Sequence, residues 1–216
     1  MVWTSTSRCW LFEHPDFFGF SPTTGGWSFA APIRAASKAN NWRMSINVSA
    51  SQLKDADFPE MISCALGETG LSSSDIRIEV TESALVDGEV ATEALERLRE
   101  LGVRVLIDDF GTKYSSLSYI TRLPIDELKI DRSFVRDLVD NESILAVVSA
   151  ILTIGKSLGL TITAEGVETE AQLIQLLSLG CDLAQGYLFE RLLSPQACFA
   201  ALESFTPGSW PIMDVT

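Results

Sequence analysis

Val103-Arg104-Val105-Leu106-Ile107-Asp108-Asp109-Phe110-Gly111-Thr112 is an apolar run that ends in two adjacent carboxylates and a glycine turn. A run this apolar is buried on both faces, as the strands of a parallel sheet covered by helices are. Open sheets and barrels of α/β type keep their active sites at the carboxyl ends of such strands, where Asp108 and Asp109 fall. Two neighbouring carboxylates repel each other unless cations hold them, which reads as a metal site. Asp before Gly also caps strands and helices, and these residues alone leave both readings open.

Composition narrows the classes. With 216 residues, 46% of them hydrophobic, the chain suits one globular domain with a real core. Its formal net charge of -13 repels nucleic acid and anionic membranes, so neither DNA, RNA nor a membrane is an expected partner. A phosphate-bearing ligand would need metal ions or a local basic group. Cysteines at 9, 64, 181 and 198 and the single histidine, His14, have no zinc-ligand spacing, and a reduced, cytosolic chain is expected. No signal peptide is read at Met1–Arg8. The stretch Ile144–Ile154, broken by Ser149 and Thr153 and followed by Lys156, is too short for a membrane span and reads as a buried helix.

Short β-branched runs alternate with helical patterns along the chain. Strands are predicted at Met44–Val48, Ile76–Val80, Val103–Ile107, Glu127–Ile130, Leu160–Ala164 and Leu183–Gly186. Helices are predicted near Phe58–Gly67, Glu89–Leu101, Ser115–Thr121, Glu142–Leu158, Glu170–Leu179 and Pro195–Ser204. Glycines 102, 159 and 180 each follow a helical pattern and precede a strand, where a C-terminal cap belongs. Regular alternation implies a parallel sheet built from crossovers. Asn47, Glu79, Asp108, Asp109, Lys129, Asp131, Glu165 and Gln185 all fall at or just past strand ends, and no glycine-rich phosphate loop follows any of them. Singly, each passes for a cap or a surface polar residue. As a set from six strands they favour a closed barrel with one polar mouth.

Asn47-Val48-Ser49-Ala50, Glu79-Val80-Thr81-Glu82-Ser83, Asp108-Asp109-Phe110-Gly111-Thr112, Lys129-Ile130-Asp131, Ala164-Glu165-Gly166-Val167-Glu168 and Gln185-Gly186-Tyr187 stand in the order and spacing of the EAL domain. The chain resembles this family of bacterial cyclic di-GMP phosphodiesterases over about residues 14–202. Residues 1–216 are read as a single domain, with 1–13 a degenerate signature segment and 207–216 a tail. The resemblance implies an α/β, TIM-type (β/α)8-like barrel with one antiparallel strand. It further implies two Mg2+ or Mn2+ ions that serve hydrolysis of cyclic di-GMP to linear pGpG. Carried over residue by residue, Asn47, Glu79 and Asp108 would hold the first metal, Asp109 the second or both, and Glu165 would complete the set. Lys129 would orient or help activate the attacking water, and Gln185 and Asp131 would contact water or substrate. Glu168 would stand behind the ligands, and Glu82 would hold the loop Asp109–Ser116 in shape. A homodimer and a GGDEF or sensory domain are the protein partners that the resemblance suggests.

Three departures bear on activity. Counting back from His14-Pro15, the signature triplet falls on Ser7-Arg8-Cys9, so the metal-binding glutamate is Ser7 and the phosphate-binding arginine is Leu11. Glu13, close by, is not expected to substitute. The family's first strand has no counterpart before Ser7, which leaves a barrel with open edges that seek partners. Lys113 stands where the active-site loop has a second glycine, at a cost of about 1 kcal/mol if φ there is positive. Two classes of function follow: a metal-dependent phosphodiesterase, or a degenerate domain that binds cyclic di-GMP or a partner protein without turnover. A remote third is an unrelated metal-dependent barrel hydrolase.

Overall fold

Strands and helices alternate in the computed structural model, which describes residues 9–11, 43–85, 89–111 and 120–189. The strands are β1 (Cys9–Leu11), β2 (Arg43–Val48), β3 (Ile76–Thr81), β4 (Arg104–Phe110), β5 (Glu127–Ile130), β6 (Thr161–Ala164) and β7 (Leu183–Ala184). They form one seven-stranded sheet in chain order, and every neighbouring pair is parallel. The six predicted strands are all present, with half of their ends as predicted, the others shifted by one or two residues, and β4 running on to Phe110. An antiparallel strand, as the resemblance implies, is not among the described residues.

The helices are α1 (Ala50–Leu53), α2 (Phe58–Thr69), α3 (Glu89–Glu100), α4 (Arg132–Asp137), α5 (Glu142–Ser157) and α6 (Glu170–Ser178). Their starts follow from side chains that accept the orphan N–H groups of a first turn. Ser49 with Gln52 and Thr169 with Gln172 form capping boxes for α1 and α6, and Asn141 caps α5. In α3, Ala91, Ala94, Leu95 and Leu98 are buried at helical spacing, and Arg97 and Arg99 lie in the last turn, where the helix dipole favours cations. Glycines 102, 159 and 180 have φ of 85°, 72° and 74°, the left-handed conformation that ends these helices before the next strand.

The reading of Ile144–Ile154 as a buried helix needs correction. In α5 only one stripe, Val148, Ile151, Leu152 and Gly155, is buried, while Val147 is 42% exposed. The run is apolar around more of the helix than the sheet can cover. α1 and α4 escape the sequence patterns because they are short and begin inside motifs that read as strand ends. The predicted helices at Ser115–Thr121 and Pro195–Ser204 lie largely and wholly outside the described residues.

β2, β3, β5 and β6 each have two unlike faces, while β4 buries the apolar Leu106 among the polar groups of its neighbours. Toward the helices point Ile78, Val80, Val105, Ile107, Leu128, Ile130 and Ile162, each 2% exposed or less. Burial of such side chains stabilises by about 1.5–3 kcal/mol apiece. The alternate positions carry Ser45, Arg77, Glu79, Glu127, Lys129 and Thr163, all buried and all polar. The run Val103–Ile107, read from sequence as buried on both faces, has Val103, Val105, Leu106 and Ile107 all buried; on the neighbouring strands the structure puts polar groups on the interior face.

Gly186 shows how closely the strand ends approach each other. A Cβ there would lie 2.2 Å from Val167 O and 2.3 Å from Val167 N, backbone atoms that cannot swing away. Gly186→Ala is therefore expected to destabilise by about 1–3 kcal/mol or more in urea denaturation. Gly67→Ala, in α2 with nothing within 4 Å of the new Cβ, should stabilise by about 0.5–1 kcal/mol.

Candidate active site

Parallel strands bring their carboxyl ends to one side of the sheet, so residues far apart in the chain meet there. Asn47 on β2 pairs in register with Glu79 on β3, and Thr81 with Asp108 on β4. Lys129 lies on β5, Glu165 just past β6 and Gln185 just past β7.

Adjacent residues of a regular strand point to opposite faces, so Asp108 and Asp109 could not both serve one site. The ladder between β4 and β5 breaks there: Ile107 pairs with Leu128, but Phe110 pairs with Ile130. Two residues, Asp108 and Asp109, thus stand opposite Lys129 alone, which is a β-bulge. Asp109 takes a left-handed φ of 55°, sparsely populated by non-glycine residues, and its N–H donates to Asp108 Oδ1 at 3.0 Å. Carboxylate oxygens of Asp108, Asp109 and Glu165 consequently lie within 4.8 Å of one another.

Lys129, 1% exposed, donates to Glu79 Oε2 at 2.9 Å and contacts Asp108 Oδ1 at 3.3 Å and Glu165 Oε1. Gln185 Nε2 donates to Glu165 Oε1 at 3.0 Å, the same oxygen that Lys129 contacts. Burial works against the Lys129 charge, but Glu79, Glu165 and Asp108 outweigh it and hold the ammonium above its ordinary pKa. Lys129 therefore meets these carboxylates as a hydrogen-bond donor. Burial raises Glu79 despite Lys129, and raises Asp109, with Asp108 and Asp131 adding to the effect. Glu165 is pushed up to about 7, first by burial, against the pull of Lys129 and with Asp108 repelling it.

Four carboxylates around one ammonium leave an excess of negative charge, and every available ligand atom is a hard oxygen. That donor set suits Mg2+ or Mn2+ and not zinc. Asn47, exposed at the end of β2, can add an amide oxygen.

The other expected residues are less central. Asp131 caps α4, accepting from Ser133 N at 2.9 Å; burial opposes its charge, but the Ser133 hydroxyl and N–H keep its pKa low. It also faces Asp109. The Glu168 side chain is exposed, and its N–H donates to Gln172 Oε1. Glu82 lies half-buried in a 3-10 turn after β3, and most of the loop it is expected to hold, residues 112–116 of 109–116, is outside the described residues. Lys113 falls there too, as Ser7, Glu13 and His14 fall outside at the other end. Within β1, Cys9 pairs with Arg43 and Leu11 with Ser45, at the end of β2 remote from Asn47. The count from His14-Pro15 sets Ser7 at the metal end of its strand, and this register does not agree with it. Sequence reasoning missed Ser45, whose side chain hydrogen-bonds Glu79. Its signal was a serine two residues before Asn47, on the same strand face.

Residues 27–192 match the family described as EAL domain. The chain is 45% identical over 164 residues to the cyclic di-GMP phosphodiesterase NbdA of Pseudomonas aeruginosa, and the match covers 76% of this chain and 20% of NbdA. Among solved structures it is similar to the MucR phosphodiesterase of the same organism in complex with c-di-GMP: TM-score 0.71, 40% identity, 78% of this chain and 70% of that one. A manganese and cyclic di-GMP complex of Klebsiella pneumoniae BlrP1 aligns with a TM-score of 0.69 at 33% identity, over 76% of this chain and 42% of that one. The chain belongs to the EAL domain family and has its α/β, TIM-like fold. It spans about a fifth of the length of NbdA.

Glu165 generates a pH prediction for the metal-free chain. Its folded pKa, about 7, lies above the ordinary 4.5. The stability that its protonated form contributes is fully present below pH 4.5 and lost as pH rises through about 7. Thermal unfolding in EDTA should show a midpoint that falls across this window, and Glu165→Gln should flatten the fall.

Proposed function

We propose that this chain hydrolyses one phosphodiester bond of cyclic di-GMP to give linear pGpG. The observation that carries the reading is the meeting of Asp108, Asp109 and Glu165 around the buried ammonium of Lys129 at the carboxyl ends of the strands. Asn47, Glu79, Asp108, Asp109 and Glu165 would hold two Mg2+ or Mn2+ ions. Bound there, the ions supply hydroxide at neutral pH and neutralise phosphate charge, which a chain of net charge -13 lacks the means to do. Lys129, held protonated, donates to the carboxylates and orients a water between them. Gln185 holds Glu165 in place and offers its amide to water or substrate, and Asp131 stands beside Asp109 at the rim.

The second reading, binding of cyclic di-GMP without turnover, rests on the count from His14-Pro15, which assigns Ser7 and Leu11 to the family's signature glutamate and arginine but with which the register of β1 does not agree. The bifunctional name of the relative MucR, diguanylate cyclase and phosphodiesterase, supports a GGDEF domain as a working partner. Incubation of the chain with cyclic di-GMP and Mg2+ or Mn2+, with pGpG followed by chromatography and binding by calorimetry, separates the readings. Release of pGpG is the expected result; binding alone supports the second reading, and neither removes both.

Asp108→Ala should abolish turnover and weaken Mn2+ binding by on the order of 100-fold, read by calorimetry. Unchanged Mn2+ affinity would show that the carboxylate cluster holds no metal.

A further inference from the structure

Directly beneath the Lys129 cluster lies a second buried charge pair that the proposed chemistry does not use. Arg77 Nη1 lies 2.9 Å from Glu127 Oε2 and 3.3 Å from Oε1, and the two residues are 2% and 3% exposed. Thr163 Oγ1 donates to the same carboxylate. Arg77 Nε is buried without a hydrogen-bond partner among the described residues, so Glu127 is the group that anchors this guanidinium. Barrel interiors are ordinarily filled by layers of branched apolar side chains. A buried ion pair is weak evidence for stability, since apolar residues of similar volume often serve as well.

The placement of the pair suggests another role. Arg77 and Glu79 are two apart on β3, Glu127 and Lys129 two apart on β5, and Thr163 and Glu165 two apart across the end of β6. Residues two apart share a face, so each lower group sits under one upper group. Both ion pairs run from β3 to β5 across β4, with opposite polarity: cation to anion below, anion to cation above. Glu127, one position below on the same face of β5, is therefore an alternative partner for Lys129, and Arg77, likewise placed on β3, one for Glu79. As the strands stand, neither exchange occurs, because Arg77 and Thr163 hold Glu127, and Lys129 reaches to the site end.

We infer that Arg77 is a positioning residue: by holding Glu127 below, it keeps the Lys129 ammonium committed to Glu79, Asp108 and Glu165. Thr163 assists as the second holder of Glu127. The inference rests on the metal-site reading for its consequence, since it is there that a displaced Lys129 would be felt.

The test is a cycle of Arg77→Met, Glu127→Leu and the double variant in the full chain, read by calorimetric titration with MnCl2 and by crystal structures of the metal-free proteins. Arg77→Met should bring Lys129 Nζ down to Glu127 and shift Mn2+ affinity at least roughly tenfold, the scale typical of groups that orient ligands. The double variant should return Lys129 to Glu79 and bring the affinity within about threefold of the parent, a non-additive result that lost packing does not produce. If Arg77→Met fails to fold, Thr163→Val reads the same effect more mildly, with Lys129 shifted toward Glu127 and Mn2+ affinity changed about threefold. Lys129 unmoved in whichever single variant folds, or a double variant whose Mn2+ affinity departs from the parent's as far as that of Arg77→Met, overturns the inference. A parent chain that binds no Mn2+ would overturn the metal-site reading instead, and the position of Lys129 in the crystals would still decide this one.

Discussion

One buried ammonium holds the polar half of this molecule together. Lys129 on β5 reaches Glu79 on β3, Asp108 on β4 and Glu165 past β6, so a single side chain ties four neighbouring strands at their carboxyl ends. Without it, buried Glu79 would lose its ion-pair partner, and the carboxylates that converge on the site would face only one another. With it the cluster still carries more negative than positive charge. That residual charge is what makes the place attractive to divalent cations, and it accounts for how a strongly acidic chain can be read as handling a phosphodiester.

The second constraint is the bulge. A flat ladder would send Asp108 and Asp109 to opposite faces of β4, one toward the polar interior and one toward the helices. The extra residue opposite Lys129, with a left-handed φ at Asp109, turns both toward the same mouth. Backbone irregularity of this kind costs free energy, and it persists because the apolar residues on either side, Ile107 and Phe110, are fixed in the core. The strain sits where the chemistry is read to be.

Much of the architecture is legible in the chain because its periodicities are local. β-branched runs set the strands, capping residues such as Asn141 and Thr169 set helix starts, and glycines 102, 159 and 180 set helix ends, each through forces that act within a few residues. The candidate site residues were legible for a related reason: a polar group that closes an apolar strand breaks the burial pattern at one defined point, and six strands repeat that break at the same end. The floor of the site was not. Arg77 and Glu127 went unread as a pair, because the partner of each is 50 residues away and no local pattern links them.

The sequence by itself determined that strands and helices alternate, that the strands are parallel, and that Asn47, Glu79, Asp108, Lys129, Glu165 and Gln185 gather at one end. These follow from spacing and from the geometry of a parallel sheet. Only the tertiary structure decided that Asp108 and Asp109 share a face, that Lys129 is locked as an ammonium, and that Arg77 occupies Glu127. Those outcomes depend on register between strands and on which charges come within a few ångströms when water is excluded, and neither is encoded in any short stretch of the chain.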